Sequence, residues 1–180
     1  MARLFFALEI PSEIREALSS MALTIPHGKP VIAEKIHLTL RFIGEQDESF
    51  IKLLPQVLNK TRVTLFSLKI SGTGRFPIIS RKPARIAYAA VSPVDELLRL
   101  QRQIDVAVEQ LGVPEDKWPF KPHVTLARVK KTPFASLAKF LEQTKNFCTK
   151  EWLVNSFQLL ETKPGPKHRH YRQTFELFER

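Results

Sequence analysis

The sequence has a single cysteine, Cys148, among its 180 residues. One cysteine excludes an intrachain disulfide and any zinc site built from several thiolates. A chain of this kind suits a reducing compartment, so we expect it in the cytoplasm. No apolar run approaches the roughly 20 residues that a membrane span needs. The short apolar run at the N-terminus lacks the cleavage pattern of a secretory signal, so we expect no membrane partner.

Acidic residues are few relative to basic ones. The chain has 18 Asp and Glu against 28 Lys and Arg, a formal charge of +10. An excess of this sign favours polyanionic partners, with nucleic acid first and anionic membrane surfaces second. The charge alone is equally consistent with a basic protein that has no such partner. Tyr and Trp are also scarce, with two of each against 13 Phe, which predicts a Phe-rich core.

One short pattern occurs twice, as His37-Leu38-Thr39-Leu40 and as His123-Val124-Thr125-Leu126. On a β-strand the side-chain period is two, so His and Thr share one face and the apolar residues share the other. A lone strand histidine is more often structural than catalytic. Because the chain has only five histidines, two of them in the same frame favour a functional pair.

The predicted elements around the two motifs follow one order. We predict β-α-β-α-β-β and then α-β-α-β-β, with each motif strand between two helices. This order predicts an internal duplication, an α+β fold of two pseudo-symmetric lobes in a single domain over residues 1–180. A plain α+β domain with two unrelated strands stays open. The pattern also predicts one strand over residues 63–70, a glycine-containing loop over 71–77, a surface turn over 78–82 and a basic connection over 162–169.

Two imidazoles facing one cleft are suited to acid–base hydrolysis of a phosphodiester, since one accepts a proton while the other donates one. The threonine hydroxyls would bind the non-bridging oxygens, and a nearby cation would stabilise their charge. The residues alone do not say which histidine donates. Only Glu34 and Glu45 lie near a motif in sequence, so we expect no metal and no cofactor.

Each motif is followed by an arginine. Arg41 stands four residues after His37, so on a regular strand it shares the histidine's face. Arg128 stands five residues after His123, so it would face away and reach the site only through a β-bulge. For both arginines the alternative is a cation on the protein surface.

Four stretches of this chain together resemble one known family. They are the motif contexts at residues 3–11, 36–45, 74–77 and 119–128. The chain resembles, over nearly its full length, the RNA 2′,3′-cyclic phosphodiesterases, also named 2′–5′ RNA ligases, of the two-histidine (2H) phosphoesterase superfamily. The resemblance implies the LigT-like fold, in which antiparallel sheets flanked by helices surround a central cleft.

The resemblance also implies an activity. A terminal 2′,3′-cyclic phosphate of RNA would be opened to a 2′-phosphate without metal, with His37 as proton donor and His123 as proton acceptor. A 5′-hydroxyl in place of water would make a 2′–5′ linkage without ATP. The implied partner is RNA ending in a 2′,3′-cyclic phosphate, tRNA fragments included, and we expect a monomer.

Phe42 and Phe76 lie in contexts where family members stack the terminal base, a contact that tolerates any sequence. The alternative is a position in the core. The two-residue alternation of a strand places Phe42 on the face opposite to that of His37. Two other functions stay open. One is a non-catalytic RNA-binding module, and the other is a phosphodiesterase of a small cyclic nucleotide such as ADP-ribose cyclic phosphate.

Overall fold

A computed structural model describes residues 1–59, 62–78, 83–162 and 169–178. The helices are α1 (Ser12–Leu23), α2 (Glu48–Leu58), α3 (Asp95–Glu109) and α4 (Phe134–Thr144), with a 3-10 turn at Ala33–Lys35. The strands are β1 (Ala2–Leu8), β2 (Lys29–Pro30), β3 (Leu38–Gln46), β4 (Phe66–Leu68), β5 (Ile70–Phe76), β6 (Ile86–Val91), β7 (His123–Arg128), β8 (Trp152–Val154), β9 (Ser156–Thr162) and β10 (Arg169–Glu176). Across these described residues, no helix has both the length and the apolar character needed to cross a bilayer.

The strands form an antiparallel sheet in the order β10-β9-β1-β3-β7-β6-β5, with β2 added beside β7. Strands β4 and β8 pair separately. The two motif strands, β3 and β7, are neighbours at the centre, and β1 and β6 flank them in equivalent positions. This architecture confirms the predicted α+β class.

The helices repeat the same symmetry. Helix α1 follows β1 but contacts β7, and α3 follows β6 but contacts β3. Each motif strand is therefore backed by a helix from the other half of the chain. One large cluster of buried apolar side chains fills the space between the helices and the sheet. A small second cluster, of Phe5, Ala7 and Leu160, lies on the opposite face of the sheet. Because the helices do not cover this face, it is open for a site.

Local sequence explains these elements. Asp47 caps α2 by accepting a hydrogen bond from the Phe50 amide at 3.0 Å, as Asp does at a helix start. In α3, Leu97, Leu100 and Ile104 recur at spacings of three and four residues and are fully buried. Strand β1 is buried on both faces from its third residue onward, as its continuous apolar run predicts.

The predicted strand over residues 63–70 and the loop over 71–77 are wrong in detail. The chain instead forms β4 and then β5, which runs through the two glycines to Phe76. Gly72 has φ +78°, and the register of β5 on β6 shifts between Ile70 and Thr73. The glycine therefore serves a β-bulge rather than a loop. Most of the predicted turn over 78–82 and of the basic connection over 162–169 lies outside the described residues.

Candidate active site

The two motif strands meet at Leu38 and Val124, which form an antiparallel pair. Continuing this register by one residue in each direction places His37 opposite Thr125 and Thr39 opposite His123. All four side chains are half-buried and share the face that the helices do not cover. The two histidines are diagonal neighbours across the strands, and such positions are about 7–8 Å apart. The register therefore allows both rings to reach one phosphate.

Both imidazoles are held by the same hydrogen bond. Nδ1 of His37 donates to the Lys35 carbonyl at 2.8 Å, and Nδ1 of His123 donates to the Lys121 carbonyl at 2.7 Å. A carbonyl only accepts, so Nδ1 carries the hydrogen in both rings, and Nε2 is the ring nitrogen on the side away from this carbonyl. The repeat therefore includes the lysine two residues before each histidine, a signal present in the sequence that the motif analysis missed.

The two rings differ in their surroundings. His37 lies 5.1 Å from the Phe5 ring, while His123 lies 4.9 Å from Phe76 and 5.5 Å from Tyr88, measured between ring centroids. Tyr88 is buried and packs on Phe76 at 4.5 Å. A Cβ at Gly74 would overlap the Tyr88 ring, so only glycine lets that ring lie over β5. Tyr88 lies outside both motifs, so its local sequence does not mark it as part of the site.

The surroundings of His123 favour its neutral form. Burial lowers the pKa of His123 below its ordinary value of 6.5, and the nearby charge of Lys121 lowers it further. The hydrogen bond to the Lys121 carbonyl opposes these two effects but does not outweigh them. A neutral imidazole with Nδ1 protonated presents a lone pair at Nε2. His123 is therefore suited to accept a proton at neutral pH.

Each motif strand contains a β-bulge at the same place. Residues 40 and 41 of β3 together oppose Phe6, and residues 126 and 127 of β7 together oppose Ala87. At a bulge two consecutive residues stand against one, which reverses the alternation of faces beyond it. The burial pattern follows this reversal, since both residues of each bulge are buried and the next one is exposed. The rule that alternate residues of a strand share a face therefore does not hold across each bulge, for the residues after each motif.

The bulge removes Arg41 from the histidine face, so the predicted position of Arg41 is wrong. Its side chain is 2% exposed and points toward α3, where Nε lies 3.4 Å from Asp105 Oδ1. Its other nitrogens contact Asp116 at 3.1 Å and donate to the Pro114 carbonyl. Burial raises the pKa of the Asp105 carboxyl. Arg41 is thus an interior ion-pair partner that joins β3 to α3 and the segment after it.

The bulges bring Phe42 and Arg128 onto the histidine face. Phe42 is 61% exposed and packs on Phe5 at 5.9 Å, the ring that also contacts His37. Phe42 therefore lies on the same face as His37, and its predicted position on the opposite face is wrong. Arg128 is exposed and lies in register with Lys29 and Ile86. The bulge that the sequence required for Arg128 to reach this face is present.

Within the described parts of the chain, no three His, Cys, Asp or Glu side chains lie close enough together to hold a metal ion. Among the described residues, the open face carries the His37 and His123 imidazoles, the Thr39 and Thr125 hydroxyls, the Arg128 guanidinium and the exposed Phe42 ring. This set is the acid–base arrangement of a two-histidine phosphoesterase.

Comparison with known proteins agrees with this class. Residues 4–166 match the model of the 2′-5′ RNA ligase superfamily. A Thermus thermophilus protein named RNA 2′,3′-cyclic phosphodiesterase is 32% identical over 179 residues, covering 92% of this chain and 84% of its own. A protein of the same name from Archaeoglobus fulgidus is 29% identical over 98% of this chain and 99% of its own. The structure of E. coli LigT complexed with 3′-AMP superposes with a TM-score of 0.79 over 99% of both chains at 24% identity, which shows the shared fold.

The chain belongs to the 2′-5′ RNA ligase superfamily. The resemblance inferred from the paired motifs is confirmed, and so is the prediction that the chain is a phosphodiesterase enzyme of this family.

Proposed function

We propose that this enzyme hydrolyses 2′,3′-cyclic phosphate ends of RNA to 2′-phosphates, using two histidines and no metal. The observation that carries the proposal is the placement of two imidazoles on one open face, each held through Nδ1 by the same kind of hydrogen bond to a main-chain carbonyl. The relatives' names supply the substrate class, RNA ending in a cyclic phosphate. The excess of 10 positive charges suits a polyanionic substrate.

Each histidine has one proton transfer to perform. Nε2 of His123 takes a proton from water as the water oxygen forms a bond to phosphorus. The bond from phosphorus to O3′ breaks in line, and Nε2–H of His37 donates its proton to the departing O3′. The product carries a 2′-phosphate and a free 3′-hydroxyl, and solvent exchange then restores the two protonation states. The lowered pKa of His123 supports this division of roles.

The groups beside the histidines suit the rest of the substrate. The hydroxyls of Thr39 and Thr125 would donate to the non-bridging oxygens, and the Arg128 guanidinium would stabilise their negative charge. Phe42, with its exposed ring, would stack the terminal base. Phe76 packs on Tyr88 and His123, so we assign it to holding His123 rather than to the base.

The same geometry suits ligation, a transesterification that consumes the same cyclic phosphate with a different nucleophile. A 5′-hydroxyl that replaces water in line with O3′ would give a 2′–5′ linkage without ATP. We further propose that residues 1–180 act as one bilobal domain and as a monomer in the cytoplasm, with RNA ends such as those of tRNA fragments as substrates. The continuous core beneath both motif strands supports a single domain.

Product analysis in the presence of a chelator tests the proposal. We expect an oligonucleotide with a 2′,3′-cyclic phosphate end to give only the 2′-phosphate, at a rate that excess EDTA does not change. Parallel assays with a cyclic mononucleotide and with ADP-ribose cyclic phosphate compare the substrate classes. A 3′-phosphate product would contradict the assigned leaving group. Full inhibition by EDTA, reversed by added metal, would contradict the metal-free mechanism.

The pH dependence of kcat/KM is a second expected result. His123 must be neutral and His37 protonated, so the profile should be bell-shaped. Because burial and Lys121 lower the pKa of His123, activity should fall on the acid side only below about pH 6.5, the ordinary value for histidine. An acid limb above that value, or a curve with one limb only, would contradict the paired roles.

A further inference from the structure

We infer that Lys121 is a positioning residue for His123 in the proposed reaction. Its main-chain carbonyl orients the imidazole. Its ammonium group lies over the two aromatic rings that pack against that imidazole, where its charge adds to the effect of burial in favouring the neutral ring. This role rests on the proposed function and adds to it a residue outside the His-x-Thr motif.

The geometry around the ammonium group is specific. Nζ of Lys121 lies 5.8 Å from the centroid of Phe76 and 5.4 Å from that of Tyr88, within the range of cation–π attraction. These are the two rings that pack against His123. The charge is therefore held on the same aromatic surface that the imidazole contacts, although Lys121 itself is exposed.

Among the described residues that face His123, Lys121 is the one that carries a permanent charge. Among the described residues, β6 contributes Tyr88 and β3 contributes His37 across the strand pair. Strand β5 contributes the Phe76 ring, and the neighbouring Arg75 alternates to the other face of that strand. Of the side chains in the described ranges, the charge that shifts the pKa of His123 comes from Lys121 and not from a carboxylate. Protonating His123 would add a positive charge near Lys121, and near His37 when that ring is protonated, so the neutral ring is favoured.

The carbonyl contact and the side-chain charge can be separated by substitution. Lys121→Met keeps the carbonyl and most of the apolar stem but removes the charge, whereas Lys121→Arg retains the charge. Lys117→Met is a matched control, because Lys117 is an exposed lysine of the same connecting segment that lines a separate groove beside Asp105 and Trp118.

The test is an NMR titration of the His123 ring in each variant, together with kcat/KM for a 2′,3′-cyclic mononucleotide across pH. Lys121→Met should move the His123 midpoint to higher pH and lower kcat/KM by up to about threefold on the acid limb of the profile, with little loss near pH 8. Lys121→Arg and Lys117→Met should behave like the wild type. A merely structural role for Lys121 would leave the midpoint unmoved.

An unchanged midpoint in Lys121→Met would overturn the inference, and so would an equal shift in Lys117→Met. The titration does not depend on turnover. If the proposed function were wrong, no protein would open the cyclic phosphate, but the midpoint would still rise in Lys121→Met, so the two failures are distinguishable.

Discussion

Replacing His37 or His123 with alanine should lower kcat/KM for a cyclic-phosphate RNA end by about 10²–10⁴-fold, the usual contribution of a positioned general acid or base. Each ring has one proton transfer to perform, and the opposite ring cannot reach the other side of the phosphorus. Because the two act in one step, the double variant should lose much less than the product of the two single losses. Steady-state kinetics with a labelled oligonucleotide measures all three.

Measuring RNA affinity distinguishes a loss of catalysis in the two histidine variants from a loss of folded structure. RNA affinity should change little in either variant, since the phosphate contacts assigned to Thr39, Thr125 and Arg128 remain. His27→Ala is the matched control, because His27 is an exposed histidine in the loop between α1 and β2 and belongs to neither motif. Wild-type turnover in both active-site variants would leave a non-catalytic RNA-binding module as the better account.

Replacing Arg41 with methionine should reduce stability, whereas replacing Arg128 with methionine should reduce turnover. Arg41→Met should lower the free energy of unfolding by about 3 kcal/mol, at the lower end of the range for breaking a buried ion pair. The reason is that Asp105 would remain without its cation, although its side chain is 26% exposed and keeps some contact with water. Denaturant unfolding measures this loss, and the double variant Arg41→Met with Asp105→Asn should recover part of it.

Arg128→Met should leave stability within about 0.5 kcal/mol of the wild type, as expected for an exposed side chain. It should instead lower kcat/KM at least about tenfold, because a charge-assisted contact to the phosphate is lost. Arg41→Met, assayed well below its unfolding temperature, should keep kcat/KM close to that of the wild type. The reverse assignment, with Arg41 needed for turnover and Arg128 for stability, would refute the positions deduced from the bulges.

Much of the site could be predicted because its chemistry repeats in the sequence. The spacing of His37 and Thr39, found again at His123 and Thr125, required only the two-residue period of a strand to place all four side chains on one face. The element order around the motifs predicted two pseudo-symmetric halves, and in the sheet the two motif strands lie side by side at its centre.

The faces of Arg41 and Phe42 could not be predicted, because a bulge leaves no clear local mark. Strand period is reliable only while each residue opposes one partner, and the extra residue in β3 depends on its pairing with β1, far away in sequence. Tyr88 was missed for a related reason. Its contact with His123 depends on the register of β6 on β7 and on the space above Gly74, which appear only once the sheet is assembled.

The most direct test follows the ring resonances of His37 and His123 by NMR while a nucleoside 2′-monophosphate, the expected product, is added. If both imidazoles act on one phosphorus atom, both signals will shift along the same saturation curve and reach completion with one bound ligand. A response from only one ring, or two responses with different affinities, would contradict a shared phosphate.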